Sequence, residues 1–293
     1  NYAQLCNNQS NANANNSPLE FWRKQLGITC PPIATVPSDY SKKQEHRQGL
    51  TSTDLARSWL LLRSLARAPK VHGKGDNTQV LMHDSADVMS AIVILFHRMT
   101  AQSELVFATA APNALSKQVL VRIDVQGDST SFVDVKSAVK DRMKESLHNA
   151  WEDPVMIIRT LYGEEAIVPT HVGFYVLERA TSPEAVAKVI EELPLVLDLN
   201  FLVEQNQAGD MKLHLVYNKG MFSKQRTVEM LAQVQNLLSQ TAKNVYELSL
   251  VTQHSKAVLP RVDEVIDQTW CGSILSRFEA NAVVCHRFGF FLR

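Results

Sequence analysis

Residue types that could carry chemistry are thinly spread along this chain. A glycine-flanked lysine, Gly73-Lys74-Gly75, lacks the glycine spacing and the Lys-Ser/Thr ending of a phosphate-binding loop. The cysteines are too far apart in sequence for a zinc ribbon or a redox pair, so we expect them to be reduced and unpaired, as in a cytosolic protein. They are Cys6, Cys30, Cys271 and Cys285.

Single polar residues are each interpreted as structural. We expect Asp39, two residues after Pro37, to accept hydrogen bonds in a turn. We expect His148 to end a helix, beside the carboxyl-terminal dipole. Trp22 should lie in the core, Asn200 and Asn218 should bond to backbone, and Arg98 and Arg122 should form surface salt bridges. The sequence therefore predicts no catalytic, cofactor-binding or metal-binding residue.

Composition limits the possible partners. Thirty basic and thirty acidic residues give a net charge of zero, which argues against a dedicated nucleic-acid binder. No apolar run reaches the roughly 18 residues of a membrane span. The Asn-rich beginning is not a secretory signal, and it lacks an initiator Met, which favours a processed or partial product. We therefore predict a cytoplasmic protein without a nucleic-acid or membrane partner.

Hydrophobic periodicity predicts alternating groups of helices and strands before residue 195. Residues 1–16 are Asn-rich and predicted to be disordered. We predict helices over 18–26 with Ser17 as its cap, 53–67 capped by Thr53, 80–101 capped by Asp84 or Ser85, 130–151, 153–162 and 182–193. We predict strands over 104–113, 118–127 and 171–179.

The block from 195 to 250 predicts two strands and one long helix. Period-two alternation places Leu195, Leu197, Leu199 and Phe201 on one face of the first strand, and Met211, Leu213, Leu215 and Tyr217 on one face of the second. Residues 205–210 supply the turn. Ser223 is the predicted cap of a helix with the apolar face Val228, Leu231, Val234 and Leu238. Strands and helices mix without strict alternation, so we predict an α+β domain over 17–250, with a mixed sheet flanked by helices.

Several short motifs occur in the order found in the condensation domains of non-ribosomal peptide synthetases. FWRKQLG at 21–27, followed by VPSD at 36–39, resembles their YW…QL…LPTD segment. Residues 88–113 resemble one of their helix-and-strand units, and residues 221–244 resemble their closing helix. The series covers about 18–260 and is similar to the second, C-terminal lobe alone. This resemblance implies half of a chloramphenicol-acetyltransferase-like condensation fold.

The acyl-transfer motif of that family, His-His-x-x-x-Asp-Gly, belongs to the first lobe. No two of the nine histidines are adjacent in this chain. His83 and Asp87 have a similar spacing, but there is no preceding His and no following Gly. General-base catalysis needs an imidazole positioned toward the substrate. We interpret His83 as a residue on the surface of a helix.

One family begins with only this second lobe, the fungal alpha-aminoadipate reductases. Residues 270–282 resemble their junction with the adenylation domain, the match stops after Ala282, and residues 44–79 depart from the family. The resemblance implies a lobe at 17–250, followed at 251–293 by a linker and a truncated start of an adenylation domain. It also implies a parent enzyme that reduces 2-aminoadipate to its semialdehyde in lysine biosynthesis with ATP, NADPH and phosphopantetheine.

The motifs for adenylation, for a carrier site and for a dinucleotide turn are missing from this sequence. We therefore expect a non-catalytic scaffold lobe that holds no cofactor and packs against the adenylation domain. Two alternatives stay open: the acceptor-side lobe of a peptide-synthetase condensation domain, and a free-standing module that binds a carrier protein. The coding DNA after Ala282 tests the reductase hypothesis, which requires an adenylation core there.

Overall fold

The computed structural model describes residues 18–33, 36–40, 55–62, 77–112, 114–127, 129–150, 153–177, 193, 197–205, 211–241, 243–259, 273 and 276. The chain divides into two compact units, Asn1–His254 and Ser255–Arg293. The helices are α1 (Pro18–Leu26), α2 (Asn77–Thr100), α3 (Phe132–His148), α4 (Pro154–Tyr162), α5 (Lys224–Leu238) and α6 (Gln253–Val258). The strands are β1 (Leu55–Leu62), β2 (Glu104–Ala111), β3 (Ala114–Asp124), β4 (Val172–Leu177), β5 (Leu199–Gln205) and β6 (Met211–Asn218). Within the described residues, every helix is too short or too polar to cross a membrane.

The strands form one mixed sheet of six, in the order β1-β6-β5-β4-β2-β3. β4 runs parallel to both β2 and β5, and the other neighbours are antiparallel. The β5–β6 pairing keeps one register from Leu199↔Tyr217 to Gln205↔Met211. The sheet is flanked by helices, so the predicted α+β class is confirmed.

The first face of the sheet is covered by a core that includes α2, α3 and α5. Every residue of α2 from 88 to 96 is buried. A helix that is buried all round lies inside a domain rather than on its surface. Phe96 of α2 meets Phe107 of β2 and Phe201 of β5 edge-on, each at 6.1 Å between ring centroids. Of the predicted inward residues, Leu199, Phe201, Met211, Leu213, Leu215 and Tyr217 pack on this face. The prediction is wrong for Leu197, which precedes β5 and packs in the cluster with α1 and α4, and Leu195 lies outside the described residues.

The second face is covered in part by α1 and α4. Their apolar residues pack with Val106 and Ala108 of β2 and Leu120 of β3. Trp22 of α1 is fully buried there, as predicted, and its indole nitrogen donates to the carbonyl oxygen of Asn149 at 3.2 Å. The apolar residues of β4, β5 and β6 on this face form a separate cluster, which includes Tyr175, Leu202 and Val216.

The predicted helix over 53–67 is wrong, because Leu55–Leu62 form the edge strand β1. An apolar run of this length suits a buried helix or a strand, and periodicity alone does not separate the two. Tertiary pairing decides the outcome. β1 lies antiparallel to β6, and the Ser58 hydroxyl hydrogen-bonds to that of Thr227 on α5 at 3.0 Å.

Two further predictions are corrected, the start of α2 and the burial of Val228. α2 begins at Asn77 rather than at Asp84 or Ser85, because no helix-breaking residue interrupts the chain between those positions. Ser223 caps α5 as predicted, but Val228 is half-exposed, because α5 turns Thr227 toward β1 and its neighbour away from it. The predicted helix at 182–193, the caps Ser17 and Thr53, the tail 1–16 and most of 270–282 lie outside the described residues.

Candidate functional site

Asp39 anchors the chain between α1 and β1 to the beginning of α5. Its carboxylate accepts the backbone N–H of Ser223 at 2.8 Å, and its own N–H donates to the carbonyl oxygen of Met221. Partial burial raises the pKa of Asp39, but the Ser223 hydrogen bonds and the charge of Arg226 outweigh this and leave the pKa below its ordinary value. Asp39 is therefore an acceptor, as predicted, and it caps a distant helix.

Asn200 and Asn218 both bond to backbone, as predicted. The Asn200 amide donates to the carbonyl oxygen of Leu197 at 2.7 Å, and the oxygen of Asn218 accepts the N–H of Gly220 at 3.0 Å. Asn218 also donates to the carboxylate of Asp198 at 2.8 Å, and His171 lies 3.4 Å from the other oxygen of that carboxylate. This buried group fastens the start of β5 to the end of β6.

The two arginines behave differently from each other. Arg122 forms the predicted salt bridges, with Glu104 at 2.8 Å and Asp124 at 3.3 Å. The salt-bridge prediction for Arg98 is wrong, because its guanidinium donates to the carbonyl oxygens of Val245 at 2.9 Å and Leu248 at 3.2 Å. Arg98 lies in the last turn of α2, where a cation also complements the helix dipole.

Both histidines singled out in the sequence lie in helices. His148 is the last residue of α3, as predicted. His83 lies in the second turn of α2, and Asp87, one turn further, pairs with Lys136 of α3 at 2.5 Å. Cys30 is unpaired, as expected, and burial raises the pKa of its thiol.

The sequence did not single out the pair that comes nearest to acid–base geometry, His214 and Glu204. His214 of β6 and Glu204 of β5 are buried on the second face of the sheet, with 3.1 Å between Nε2 and a carboxylate oxygen. A carboxylate can only accept, so Nε2 carries the proton and donates it. The other ring nitrogen, Nδ1, has no hydrogen-bond partner among the described residues. His214 is therefore an imidazole oriented by a carboxylate.

The surroundings of His214 disfavour its charged form. Burial lowers its pKa, as do the positive charges of Lys212 and Arg57, while the hydrogen bond to Glu204 raises it, and the net direction is downward. His214 is thus the neutral tautomer near pH 7, with the Nδ1 lone pair facing the protein interior. This is the protonation state that a general base requires.

A second buried polar pair lies on the same face, toward β2 and β3. The Gln118 amide donates to the Tyr175 hydroxyl at 2.7 Å, and both side chains are buried. Burial raises the pKa of Tyr175 far above its ordinary value, while the bond from Gln118 opposes this. The ring of Tyr175 lies over Gly173, where a Cβ atom would come within 2.6 Å of it. This phenol is therefore a neutral packing group.

These groups are chemically suited to proton transfer but are closed to substrate. The exposed fraction of His214 is 1%, and that of Tyr175 is 0%. A catalytic base must come within hydrogen-bonding distance of the proton that it removes. Among the described residues, no three His, Cys, Asp or Glu side chains lie close enough together to hold a metal ion. His214 and Tyr175 thus pack as part of the core on the second face of the sheet.

The alternation of β5 and β6 contains the signal for this pair. Opposite the apolar positions, the first strand carries Asn200 and Glu204, and the second carries Lys212, His214 and Asn218. Only residues 206–210 separate the two strands in sequence, so an antiparallel pairing places a carboxylate near an imidazole on one face. Only the register, which pairs Leu202 with His214, makes His214 and Glu204 diagonal neighbours.

Structural comparison places this architecture among known folds. A starter condensation domain of rhizomide synthetase superposes with a TM-score of 0.55 at 11% identity, over 85% of this chain and 58% of that one. The four-domain non-ribosomal peptide synthetase AB3403 gives 0.58 at 16% identity, over 85% and 21%. The teicoplanin X-domain, solved in complex with OxyB, gives 0.57 at 17% identity, over 80% and 55%. The fold is that of a condensation-like lobe.

Sequence comparison finds similarity to an aminoadipate reductase. The chain is 25% identical over 288 residues to L-2-aminoadipate reductase of Schizosaccharomyces pombe (strain 972 / ATCC 24843). The match includes 91% of this chain but only 20% of that reductase, so the chain spans about a fifth of its relative. No family model matches the chain. The chain thus has the fold of a condensation-like lobe and is similar in sequence to an aminoadipate reductase.

Proposed function

We propose that this chain is a non-catalytic condensation-like scaffold lobe of an aminoadipate-reductase-type multidomain enzyme. The observation that carries the proposal is the similarity to one such reductase along 91% of the chain. In this proposal the parent enzyme reduces 2-aminoadipate to its semialdehyde with ATP, NADPH and phosphopantetheine, which act on other domains. The lobe supports the adenylation domain by packing against it in the cytoplasm.

The interior of the lobe supports a scaffold role. Two of the described residues with acid–base potential, His214 and Tyr175, are almost completely buried, and both hydrogen-bond to other buried side chains. Buried polar pairs of this kind can contribute to the specificity of strand pairing in a core. This placement supports a structural role for both side chains.

A graft into the yeast relative tests the scaffold role. The segment of the S. pombe reductase that aligns with this chain is replaced by the chain itself, and soluble yield and ATP- and NADPH-dependent reduction of 2-aminoadipate are measured. We expect the graft to retain both, and a variant that lacks the segment to lose soluble protein. The proposal would be excluded by two results together: a chimeric reductase that is soluble but inactive, and a reductase without the segment that is fully active.

A condensation assay tests the absence of catalysis. The purified chain is incubated with two carrier domains that bear aminoacyl thioesters, and amide formation is measured against a protein-free background. We expect no rate above the background. An amide-forming rate that falls in the His214→Gln variant would show the lobe to be catalytic.

A carrier-binding module is the second candidate, suggested by the fold shared with the teicoplanin X-domain, which was solved in complex with another protein, OxyB. In this case the lobe binds a carrier protein without chemistry. A pull-down with bare and acylated carrier domains tests it, with an unrelated domain of similar charge as the control. No association with either carrier form would remove this candidate.

A further inference from the structure

Residues 245–252, between α5 and α6, form an irregular segment in which three side chains are buried. Val245, Leu248 and Thr252 are buried, while Tyr246, Ser249 and Val251 between them are exposed. Val245 and Leu248 belong to the main core on the first face of the sheet. We call residues 245–252 the strap.

The end of α2 holds the first half of the strap. Arg98 donates to the carbonyl oxygens of Val245 and Leu248, and its guanidinium lies 5.5 Å from the centroid of the Tyr246 ring. His97 Nδ1 lies 2.7 Å from the carbonyl oxygen of Gln102, which can only accept. Nδ1 therefore donates, and Nε2 accepts the Tyr246 hydroxyl at 3.0 Å.

Side chains on one face of α5, and one in the turn after it, hydrogen-bond to the second half of the strap, residues 249–252. Asn236 donates from one amide nitrogen to the carbonyl oxygens of Ser249 at 2.7 Å and Val251 at 3.2 Å. Gln240, one turn further, donates to the same Ser249 carbonyl at 3.1 Å and accepts the Ser249 N–H at 3.0 Å. The Thr252 hydroxyl donates to the carboxylate of Glu229. Most of these bonds are to backbone groups, so they fix the path of the strap.

We infer that the strap is a docked element of the sheet domain, held along its length by side chains of α2 and α5 as a strand is held by its neighbours in a sheet. Side-chain amides on one helix satisfy the backbone of an extended segment, as a strand neighbour would in a sheet. This conformational device is independent of the reaction proposed for the parent enzyme.

Hydrogen exchange on the full chain tests the strap. In the native protein we expect slow exchange at the Ser249 amide, which donates to Gln240. The Asn236→Asp and Gln240→Ala variants each remove donors to the strap, and we expect exchange at 249–252 to accelerate at least about fivefold. Gln235→Ala, an exposed glutamine on the same helix, is the matched control and should leave the rate unchanged.

Limited trypsin digestion gives a second readout, because Lys243 and Lys256, both exposed, flank the strap. We expect the native chain to be cut at Lys256 and spared at Lys243, and the double variant Asn236→Asp/Gln240→Ala to be cut at both. Thermal unfolding confirms that the rest of the lobe stays folded. Fast exchange at 249–252 in the native chain, or equal rates in all variants, would overturn the inference.

Discussion

His214 couples the stability of the sheet to pH. Because burial lowers its pKa, the folded protein binds this proton less tightly than the unfolded chain does. The stability that this histidine contributes is therefore complete above its ordinary pKa of about 6.5. It is lost as the pH falls from there toward the lower pKa of the folded state.

We expect the wild-type chain to lose more unfolding free energy between pH 7.5 and 5.5 than a His214→Gln variant, whose amide can still donate to Glu204. Urea titrations at the two pH values measure the difference. His254→Gln, at an exposed position, is the control and should keep the wild-type dependence. Equal losses in wild type and His214→Gln would contradict this account.

Gly173 is required by the ring packed above it. A Cβ atom at this position would lie 2.6 Å from Tyr175, whose hydroxyl is held by Gln118. We expect Gly173→Ala to destabilise the lobe by about 1–3 kcal/mol, the usual range for overpacking a core. Adding Tyr175→Leu should recover part of the loss. A neutral Gly173→Ala variant in denaturant unfolding would show that the ring can move aside.

For single residues, the sequence predicts roles that depend on neighbouring positions, such as helix capping. It does not predict hydrogen bonds to residues that are distant in the chain. Ser223 as a cap and Trp22 as a core residue follow from neighbouring positions. The sequence predicts a surface salt bridge for Arg98 because its acceptors, two backbone carbonyls nearly 150 residues away, leave no trace in the local pattern. The pair of His214 and Glu204 needed the strand register.

Among the elements, β1 depends most on its partners. Its Ser58 hydroxyl meets the Thr227 hydroxyl of α5 at 3.0 Å in a buried position. We expect a double-mutant cycle of Ser58→Ala and Thr227→Ala to give a coupling free energy of about 1 kcal/mol. The measurement is denaturant unfolding of the four proteins. Simple additivity of the two substitutions would mean that β1 does not lie where the structure places it.

The strands and helices with regular amphipathic periodicity were predictable from sequence. α3, β4, β5, β6 and α5 all occur close to their predicted bounds, because each buries one face or lies wholly in the core. The sequence predicts a helix at β1 because six of its eight residues are apolar without strict alternation, and its identity as a strand depends on pairing with β6. Tertiary contact outweighs local propensity at this edge.

For the whole molecule, exposed apolar residues predict self-association. Ile28 and Ile167 are 93% and 60% exposed, and a contact of 3.9 Å between the sulfur of Cys30 and the Ile167 carbonyl oxygen brings their segments together. Neighbouring exposed apolar side chains favour association. We expect the purified chain to elute as concentration-dependent oligomers in size-exclusion chromatography.

The double variant Ile28→Ser/Ile167→Ser should shift this equilibrium toward the monomer. Val258→Ser, at another exposed apolar position, is the control for general polarity and should shift it less. A wild-type chain that elutes as a clean monomer at every concentration would contradict the expectation.

The order of strands in the sheet also constrains how the protein is made. β1 is synthesised early, yet its neighbour in the sheet is β6, the last strand of the chain order. During translation, β1 cannot pair with β6 until residues 211–218 have left the ribosome. Such long-range pairing is slow and exposes strand edges to other chains. We therefore expect the lobe to fold after synthesis of the full sheet, and to depend on chaperones while it is incomplete.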